Sequence, residues 1–475
     1  LGEYEAIQLV LRAEQDVPRL RVAVLPWSPT RRLAPNCIEL FEVKYVPTPA
    51  DRRHACFPDP LVPLALDGQV ACVDLKAGET KAVWVRLRVP EDASPGAYKL
   101  RVVVGAFGLV GGLVQETNGP FIMAPLHVTL WPFRLPRGTH ARTAFGISGS
   151  YIAQQHGVKT GTPEYDELYR RYYDELLEHR VCAYSLPYGL MDSRAVPYLR
   201  DERVNAFTVS YTDEEDRMRE EWSYLRALGV AHKAWIYPLD EPVNRDQYTT
   251  LKRRAAHVHT LSPGLKVCSP FFRGPDWDDK LTPFDELVGY LDIWCCNTGY
   301  YSKPEIQQLM RERQKKGEEA WWYVCCGPGH PFCNFFVNMA ALQHRLLMWQ
   351  MYRYDITGLL YWSTTYWNPA STKDPWEDIA TVKDINPSIY GDGSLFYPGA
   401  RYGIKGPVTS VRLECIRDGL EDYEYLVLAR RVLDQQTVDV IVHQIAPELV
   451  RYETDPTKFE DVRRMLGEML TAAKG

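Results

Sequence analysis

The sequence predicts an α/β protein in which a (β/α)8 TIM barrel follows an N-terminal β-sandwich domain and carries C-terminal helices packed on the barrel. The first part of the 475-residue chain shows only the alternation of apolar and polar residues that is typical of strands. The middle part alternates eight strand-like runs with helical runs, and eight such units in roughly 250 residues are typical of this barrel. We therefore predict a β-sandwich over 1–135, a barrel over 136–400 and a helical segment over 401–475.

Composition excludes several classes of protein. Hydrophobic residues make up 45% of the chain and charged residues 24%, which is ordinary for a folded globular protein. The formal net charge of −6 argues against a nucleic-acid partner, because phosphate contacts need clustered Lys and Arg. No run approaches about 18 consecutive apolar residues, so we expect no membrane span.

The aromatic residues are unusual, with 13 Trp and 29 Tyr against 15 Phe. Rings with a polar edge suit half-wet surfaces such as those that bind sugars, although composition alone favours a large barrel core with surface tyrosines. The chain begins LGEYEAIQLVL, without the charged and then apolar pattern of a signal peptide. We interpret this start as a processed or trimmed end that would hide an export signal, so localisation and oligomeric state stay open.

The N-terminal region is predicted to consist of short strands. Apolar residues alternate at 82–89 and again at 98–104, with Leu100 and Val102 facing inward. The Pro-Gly pair at 95–96 predicts a turn, after which the second run returns as a strand. Short strands separated by Pro and Gly favour a sandwich, and 130–139 is predicted to link it to the barrel.

The barrel region contains eight predicted strands. They occupy 142–147, 181–186, 205–210, 233–239, 266–271, 292–297, 320–326 and 358–363. The first long helix is predicted to begin after Thr162, with Pro163 in its first turn. No clear helix is predicted at 187–203, which is the weakest part of the barrel prediction. A doubly wound sheet would usually have a glycine-rich turn after its first strand, and no such turn occurs here.

Asp240 and Glu241 form the only carboxylate pair that directly follows a predicted strand. Active-site residues of such barrels lie at the C-terminal ends of the strands, so this pair indicates acid chemistry on an uncharged ligand. The structural alternative is a capping Asp followed by a solvated Glu at a helix start. Pro242 is expected to hold Glu241 in an extended conformation and to end the strand.

The spacing of this pair constrains the mechanism. Inverting glycosidases need carboxylates about 6.5–9.5 Å apart, which adjacent residues reach only by diverging. A retaining mechanism with an enzyme nucleophile needs a second carboxylate, yet the predicted seventh strand ends in VCCGPG, and Glu318 and Glu319 lie at its other end. This absence favours a 2-acetamido oxygen of the substrate as nucleophile, with Asp240 orienting the acetamido group and Glu241 acting as general acid and then base.

Four stretches resemble glycoside hydrolase family 123 and the related β-N-acetylgalactosaminidases. They are GEYEAIQLVL and AGETKAVWVRLRVPEDASPGAYKLRVVV in the sandwich, WIYPLDEP at the fourth barrel strand, and GDGSLFYPG with SVRLECIRDGLEDYEYL near the C-terminus. The resemblance implies retaining, substrate-assisted hydrolysis of terminal β-linked N-acetylgalactosamine. It also implies that Asp240 orients the acetamido group, that Glu241 is the acid/base, and that the partner is a glycan.

Six further residues near predicted strand ends are candidate substrate contacts. They are Asn297, Tyr300, Tyr301, Trp322, Trp362 and Trp367. The amide and phenol groups suit hydroxyl or acetamido groups, and the indoles suit a sugar face, although a core role is as consistent for each aromatic. Tyr361 and Trp362 alternate along the eighth strand, so only one of them should face the barrel interior.

Three alternatives stay open. They are a β-N-acetylglucosaminidase or broad hexosaminidase, a non-catalytic glycan-binding barrel, and a metal-dependent barrel enzyme. The 11 Cys include the adjacent pairs Cys295/Cys296 and Cys325/Cys326, but no spacing typical of a metal site occurs. We therefore expect small buried thiols, no metal and no cofactor.

Overall fold

The computed structural model describes residues 1–27, 33–51, 53–110, 113–273, 282–369, 374–382 and 384–473. Its N-terminal strands are β1 (Tyr4–Arg12), β2 (Val17–Pro26), β3 (Ile38–Pro47), β4 (Cys56–Pro63), β5 (Leu66–Asp67), β6 (Val70–Leu75), β7 (Thr80–Arg88), β8 (Gly96–Val110) and β9 (Leu113–Leu130). They form two antiparallel sheets, one containing β1-β7-β3-β4 and the other β5-β6-β2-β8-β9. None of the helices in the described ranges combines the length and hydrophobicity needed to cross a membrane.

The two sheets share one hydrophobic core. Val24 of β2, Val85 of β7 and Val102 of β8 are buried in the same cluster, as the alternation of apolar residues predicts. The turn at 95–96 does not return the chain beside β7, however, because β7 pairs with β1 and β3 while β8 pairs with β2 and β9. The chain therefore crosses from one sheet to the other at this point.

The barrel region alternates strands with helices. Its elements are β10 (Arg142–Phe145), α1 (Gly149–His156), α2 (Pro163–Glu178), α3 (Val196–Arg200), β11 (Phe207–Val209), α4 (Glu215–Ala227), β12 (Ala234–Ile236), α5 (Arg245–Leu261), β13 (Lys266–Phe271), α6 (Pro283–Glu286), β14 (Ile293–Asn297), α7 (Thr298–Tyr301), α8 (Pro304–Lys315), β15 (Glu319–Val324), α9 (Ala341–Arg353) and β16 (Gly358–Tyr361). Helix α2 begins as predicted, since Thr162 accepts a hydrogen bond from the backbone N–H of Tyr165.

The seven strands form a nearly closed parallel sheet in the order β10-β16-β15-β14-β13-β12-β11. The predicted second strand at 181–186 is reduced to a bridge between Ala183 and Phe145. Its backbone bonds to both neighbours, since the Tyr184 N–H donates to the Phe145 oxygen (2.9 Å) and the Thr208 N–H donates to the Tyr184 oxygen (2.7 Å). The segment 187–203 contains the short α3, which explains why no clear helical pattern is visible there.

Large side chains fill the interior of the barrel. The rings of Trp235 and Trp321 lie 5.3 Å apart and are fully buried, together with Cys268, Cys295 and Leu360. Neighbouring Gly358 leaves the room for this packing, since a Cβ atom there would lie 2.3 Å from the Trp321 ring. A ligand therefore has access only to the ends of the barrel.

The C-terminal segment binds both other parts of the molecule. It contains β18 (Pro407–Ser410), α10 (Val411–Val432), α11 (Gln435–Ile445) and α12 (Pro456–Ala472), and β17 (Tyr397–Pro398) directly precedes it. Strand β18 pairs with β4 and so extends an N-terminal sheet, while α10 packs along α9 of the barrel. The predicted C-terminal helices are thus present, preceded by two strands that the pattern did not predict.

A fully buried ion pair lies where these parts meet. Arg412, in the first turn of α10, contacts Asp59 of β4 at 2.8 Å, and both side chains are at most 2% exposed. The same guanidinium donates to the backbone oxygens of Phe335 and Gly391, each at 2.8 Å. One side chain thus connects the N-terminal sheet with two segments of the barrel region.

We predict that Arg412→Met lowers the free energy of unfolding by about 3–5 kcal/mol, because it leaves Asp59 as a buried, unpaired charge. The control is Arg464→Met, which breaks an exposed pair with Asp461 and should cost less than about 1 kcal/mol. Urea unfolding followed by circular dichroism measures both. Equal effects of the two substitutions would contradict the prediction.

Candidate active site

The Asp-Glu pair lies in a braced loop after β12. The strand ends three residues earlier than predicted, and the loop 237–241 continues to the C-terminal mouth of the barrel. Arg254 of α5 donates to the Pro238 oxygen (2.6 Å), and Ser269 of β13 donates to the Leu239 oxygen (2.8 Å). Neighbouring elements on the helix side and the sheet side therefore hold the backbone that carries the pair.

Two tyrosine hydroxyls orient the carboxylates. Tyr237 donates a hydrogen bond to Asp240, and Tyr323 of β15 donates one to Glu241. Tyr323 belongs to the cluster inside the barrel, so Glu241 lies over the interior of the mouth. Asp240 is exposed and Glu241 is half-buried, which places both where a ligand could reach them.

Neither carboxylate caps a helix. The N-cap of α5 is Asn244, whose side chain accepts a hydrogen bond from the Gln247 N–H at 3.0 Å. The structural alternative considered for Asp240 and Glu241, a capping Asp with a solvated Glu, is therefore wrong. The pair lies ahead of the helix, in a position where its side chains remain available.

The backbone of Glu241 is strained. Its φ angle is +32°, whereas Pro242 was expected to hold it extended, so that expectation is wrong. A left-handed conformation costs a non-glycine residue of the order of 1–3 kcal/mol and is concentrated at functional sites. This sharp bend lets two consecutive residues serve one site, which a regular strand would prevent because its side chains alternate between faces.

The surroundings of Glu241 favour its protonated form. Burial raises the pKa of this carboxyl, the Tyr323 hydroxyl partly opposes the rise, and the charge of Asp240 adds to it. A carboxyl with a raised pKa keeps its proton closer to neutral pH, as a general acid requires. The two neighbouring carboxyls thus lie in different environments, one exposed and one partly desolvated.

Three aromatic rings that sequence reasoning did not select pack on the interior cluster, and one of them, Tyr237, binds Asp240. Tyr184, Tyr237 and Phe272 are half-buried and pack on top of the interior cluster, and the rings of Tyr184 and Tyr237 lie 6.4 Å apart. The available signal was the strand period, because Tyr237 shares the inward parity of Trp235. These rings provide a partly apolar wall beside the carboxylates.

Asn297 lies at the mouth but is engaged in holding loops. Its side-chain oxygen accepts from the Gly299 N–H (3.0 Å), and its amide nitrogen donates to the Gly327 oxygen (3.3 Å). The side chain therefore ties the turn after β14 to the turn after β15. It is half-buried, so it lies at the edge of the candidate site.

Trp362 lies at the C-terminal end of the eighth predicted strand, one residue beyond β16. Tyr361 is fully buried in the cluster on the side of the helices, and Trp362 packs against that same cluster. The alternation that was expected to turn one of the two toward the barrel interior therefore does not extend to Trp362. Trp362 is half-buried and its ring lies 4.6 Å from that of Tyr366.

The structure does not bring the other four aromatic candidates to the mouth. Tyr301 and Trp322 are fully buried and pack 5.0 Å apart, and the buried Tyr300 packs on Phe271. Trp322 lies between two inward residues of β15, so the pleat directs it outward toward the helices. Trp367 is also fully buried and donates to the backbone oxygen of Phe396. These placements support core roles instead of sugar contacts.

Two other carboxylates of the barrel offer no free oxygen to the pair. Glu319 lies at the N-terminal end of β15, as predicted, and pairs there with Lys266. Asp392 is 1% exposed and accepts hydrogen bonds from Trp362 and Tyr361.

The cysteine pairs differ in their placement. Cys295 and Cys296 are fully buried, as expected, whereas Cys325 and Cys326 are half-buried at the mouth with sulfur atoms 3.8 Å apart. All 11 thiols are free. Within the described ranges, no group of three or more His, Cys, Asp or Glu side chains is arranged to hold a metal ion.

A cleft of about 680 Å³ extends beside the mouth. It is lined by segments that follow β10 and β11 and by 185–192, including the rings of Tyr165, Tyr169 and Tyr188. Asp240 and Glu241 do not line it. The residue before this lining segment, Tyr184, belongs to the aromatic wall of the candidate site, so the cleft and the site adjoin.

The sequence matches two protein-family models. They are described as "Glycoside hydrolase 123, catalytic domain", which matches residues 176–429, and "Glycoside hydrolase 123 N-terminal domain", which matches residues 2–106. No curated protein matches the chain in sequence.

The fold of this chain was compared with solved structures of other proteins. A family 123 glycoside hydrolase from Clostridium perfringens, studied for glycolipid glycan hydrolysis, aligns with a TM-score of 0.68 at 12% identity, covering 99% of this chain and 92% of that one. A GH2 β-galacturonidase from Eisenbergiella tayi aligns at 8% identity over 88% of this chain and 89% of that one, with a TM-score of only 0.31. The first similarity concerns the fold, and the second carries no argument.

We predict that Tyr323→Phe moves the alkaline limb of the pH profile of kcat/KM for a chromogenic glycoside to higher pH. The hydroxyl of Tyr323 stabilises ionised Glu241, so its removal raises the pKa of Glu241 further, and a general acid then stays protonated to higher pH. Loss of a hydrogen bond to a charged group should also lower kcat/KM by about 10–100-fold.

The matched control for this substitution is Tyr45→Phe, because Tyr45 is exposed on the N-terminal sheet. Its profile should overlay that of the parent. An unchanged or downward-shifted alkaline limb in Tyr323→Phe would contradict the assignment of Glu241 as the acid.

Proposed function

The chain belongs to glycoside hydrolase family 123, and we propose that it releases terminal β-linked N-acetylgalactosamine from glycans by retaining, substrate-assisted catalysis. The observation that supports this proposal best is the adjacent pair Asp240 and Glu241 at the barrel mouth, each held by a tyrosine hydroxyl. Strand β15 carries its glutamate at the N-terminal end, and Asp392 is buried and hydrogen-bonded, so neither serves as a nucleophile opposite the pair and we take the substrate itself as the source of one.

The proposed first step breaks the glycosidic bond. The acetamido oxygen at C2 attacks the anomeric carbon from the face opposite the leaving group, while Glu241 gives its proton to the leaving oxygen. Asp240 accepts the hydrogen bond of the acetamido N–H and stabilises the positive charge that develops on the cyclic oxazolinium intermediate. The raised pKa of Glu241 suits the acid role, and the exposure of Asp240 leaves its carboxyl accessible to the acetamido group.

The proposed second step restores the enzyme. Glu241, now ionised, takes a proton from a water molecule, and that water attacks the anomeric carbon from the face that the leaving group vacated. The ring of the intermediate opens and returns the acetamido group. Two displacements on opposite faces leave the sugar with its original β configuration.

We place the sugar between the carboxylates and the half-buried aromatics at the mouth. Trp362 on one side and Tyr184, Tyr237 and Phe272 on the other provide partly apolar surfaces of the kind that contact sugar rings. Asn297 lies at the edge of this space. In the same proposal, 181–186 is the shortened second strand of a (β/α)8 barrel, and 1–135, 136–400 and 401–475 are the three structural regions.

The proposal predicts a characteristic set of substrates. The parent protein should hydrolyse 4-nitrophenyl N-acetyl-β-D-galactosaminide and leave the plain β-galactoside intact, because only the former carries the acetamido nucleophile. Comparable turnover of the plain galactoside would overturn the acetamido mechanism. Faster turnover of the glucosaminide would reassign the sugar, and loss of activity on exhaustive chelation would favour a metal-dependent reaction.

Glu241→Gln should lower kcat for the galactosaminide by about 10²–10⁴-fold, because the amide cannot transfer a proton. The control is Glu215→Gln, an exposed residue of α4 that should keep parental activity. Binding of the sugar without hydrolysis in the parent itself would instead identify a non-catalytic glycan-binding protein.

Asp240→Asn should lower kcat by about 10–100-fold for the acetamido substrate, since a neutral amide stabilises the cyclic cation less well. Proton NMR of the first product formed by the parent should show the β anomer. The α anomer as first product would contradict retention.

A further inference from the structure

Asp392 is a buried carboxylate that the proposed reaction does not use. It is 1% exposed and has no ion-pair partner in the described part of the chain. Its two oxygens accept from the Trp362 indole N–H at 3.1 and 3.2 Å, and one of them also accepts from the Tyr361 hydroxyl at 3.2 Å. Burial raises the pKa of Asp392 to about 6, so near neutral pH the indole bonds to an ionised acceptor.

The turn around Asp392 is shaped to receive the indole. Gly391 and Gly393 have φ angles of +75° and +70°, a conformation that favours glycine. A Cβ atom on Gly393 would lie 2.2 Å from the Trp362 ring, so the ring rests directly on this backbone. The Gly-Asp-Gly sequence therefore supplies both the acceptor for the indole N–H and the space for its ring.

The turn itself is anchored from outside the barrel. Arg412 of α10 donates to the Gly391 oxygen at 2.8 Å, and Asp59 of the N-terminal sheet neutralises its charge. The Thr381 hydroxyl donates to the Asp392 backbone oxygen. Asp392 thus belongs to a rigid support, while the ring that it holds is half-exposed at the mouth.

Asp392 also lies at the end of the barrel that carries the proposed catalytic pair, because it binds Trp362 just beyond β16. It is within electrostatic range of the thiols of Cys325 and Cys326, and Cys326 is within the same range of Glu241. The ring that Asp392 holds is the candidate tryptophan that follows β16 at the C-terminal end of the barrel and is half-buried there.

We propose that Asp392 is a positioning residue that fixes the plane of the Trp362 indole, so that its exposed face forms a platform for the pyranose ring bound at Asp240 and Glu241. The inference rests on the proposed function for the identity of the sugar. Asp392 itself has no oxygen free for the substrate. Its effect is transmitted through Trp362 alone, and this property separates it from a residue that merely supports the fold.

The test is a double-mutant cycle with Asp392→Leu and Trp362→Ala. Each single variant should raise KM for the chromogenic galactosaminide by about 3–10-fold, the range expected for one aromatic stacking contact, with a much smaller change in kcat. Because Asp392 acts through Trp362, the double variant should show no further increase in KM beyond Trp362→Ala. Asp392→Asn, which keeps an acceptor oxygen for the indole, should restore KM to near the parental value.

Two results would overturn the proposal: a parental KM in a folded Asp392→Leu variant, or multiplied effects of the two substitutions in the double variant. Thermal unfolding and near-ultraviolet circular dichroism check the fold, and Asp392→Ala replaces the leucine variant, with the same criteria, if that variant does not fold.

Fluorescence separates a failure of this inference from a failure of the proposed function. If the parent hydrolyses no member of the substrate panel, the proposed function fails, and free N-acetylgalactosamine is then titrated against indole emission. A response in the parent and in Asp392→Asn that disappears in Trp362→Ala and weakens in Asp392→Leu supports the positioning role. Equal responses in the parent and in Asp392→Leu contradict it.

Discussion

The buried contact between Arg412 and Asp59 is the interaction on which the arrangement of this molecule depends. It joins helix α10 to the N-terminal sheet, and the remaining donors of the same guanidinium hold the backbone of Phe335 and Gly391. A charge so deeply buried is tolerated only when its partner and its hydrogen bonds are complete. The three regions therefore have to meet in one geometry, and the Gly-Asp-Gly turn beside the mouth follows from it.

Helix α10 carries further buried ion pairs along its length. Glu414 binds Arg86 of the N-terminal sheet and His179 beyond α2, while Asp422 binds Arg345 of α9 and Arg463 of α12. The C-terminal helices were predicted to pack on the barrel, but the sequence pattern did not indicate that the charged side of α10 would be buried as well. The complementary charges came from elements between 41 and 328 residues away, which no local pattern could reveal.

The candidate site combines a rigid frame with one strained residue. The position of Asp240 and Glu241 after an apolar strand was enough to select them from the sequence, whereas the alternation on the eighth strand did not place Tyr361 and Trp362 on opposite faces, since both pack in the cluster on the side of the helices. Four aromatic candidates were misplaced because proximity to a strand end does not determine the face on which a side chain lies. Register and parity decide that, and they became definite only when the strands were paired.

The sequence by itself predicted the alternation of strands and helices around a parallel barrel sheet and selected Asp240 and Glu241 as candidates, because hydrophobic period and strand-end position are local properties of the chain. The tertiary structure decided how that pair is held and what surrounds it. The backbone of Glu241 adopts a left-handed conformation that is atypical for a non-glycine residue. Its hydrogen bond to Tyr323 and the hydrogen bond of Trp362 to Asp392 each join residues that are distant in sequence. Such contacts follow from the packing of whole elements against one another, and short-range sequence patterns do not encode that packing.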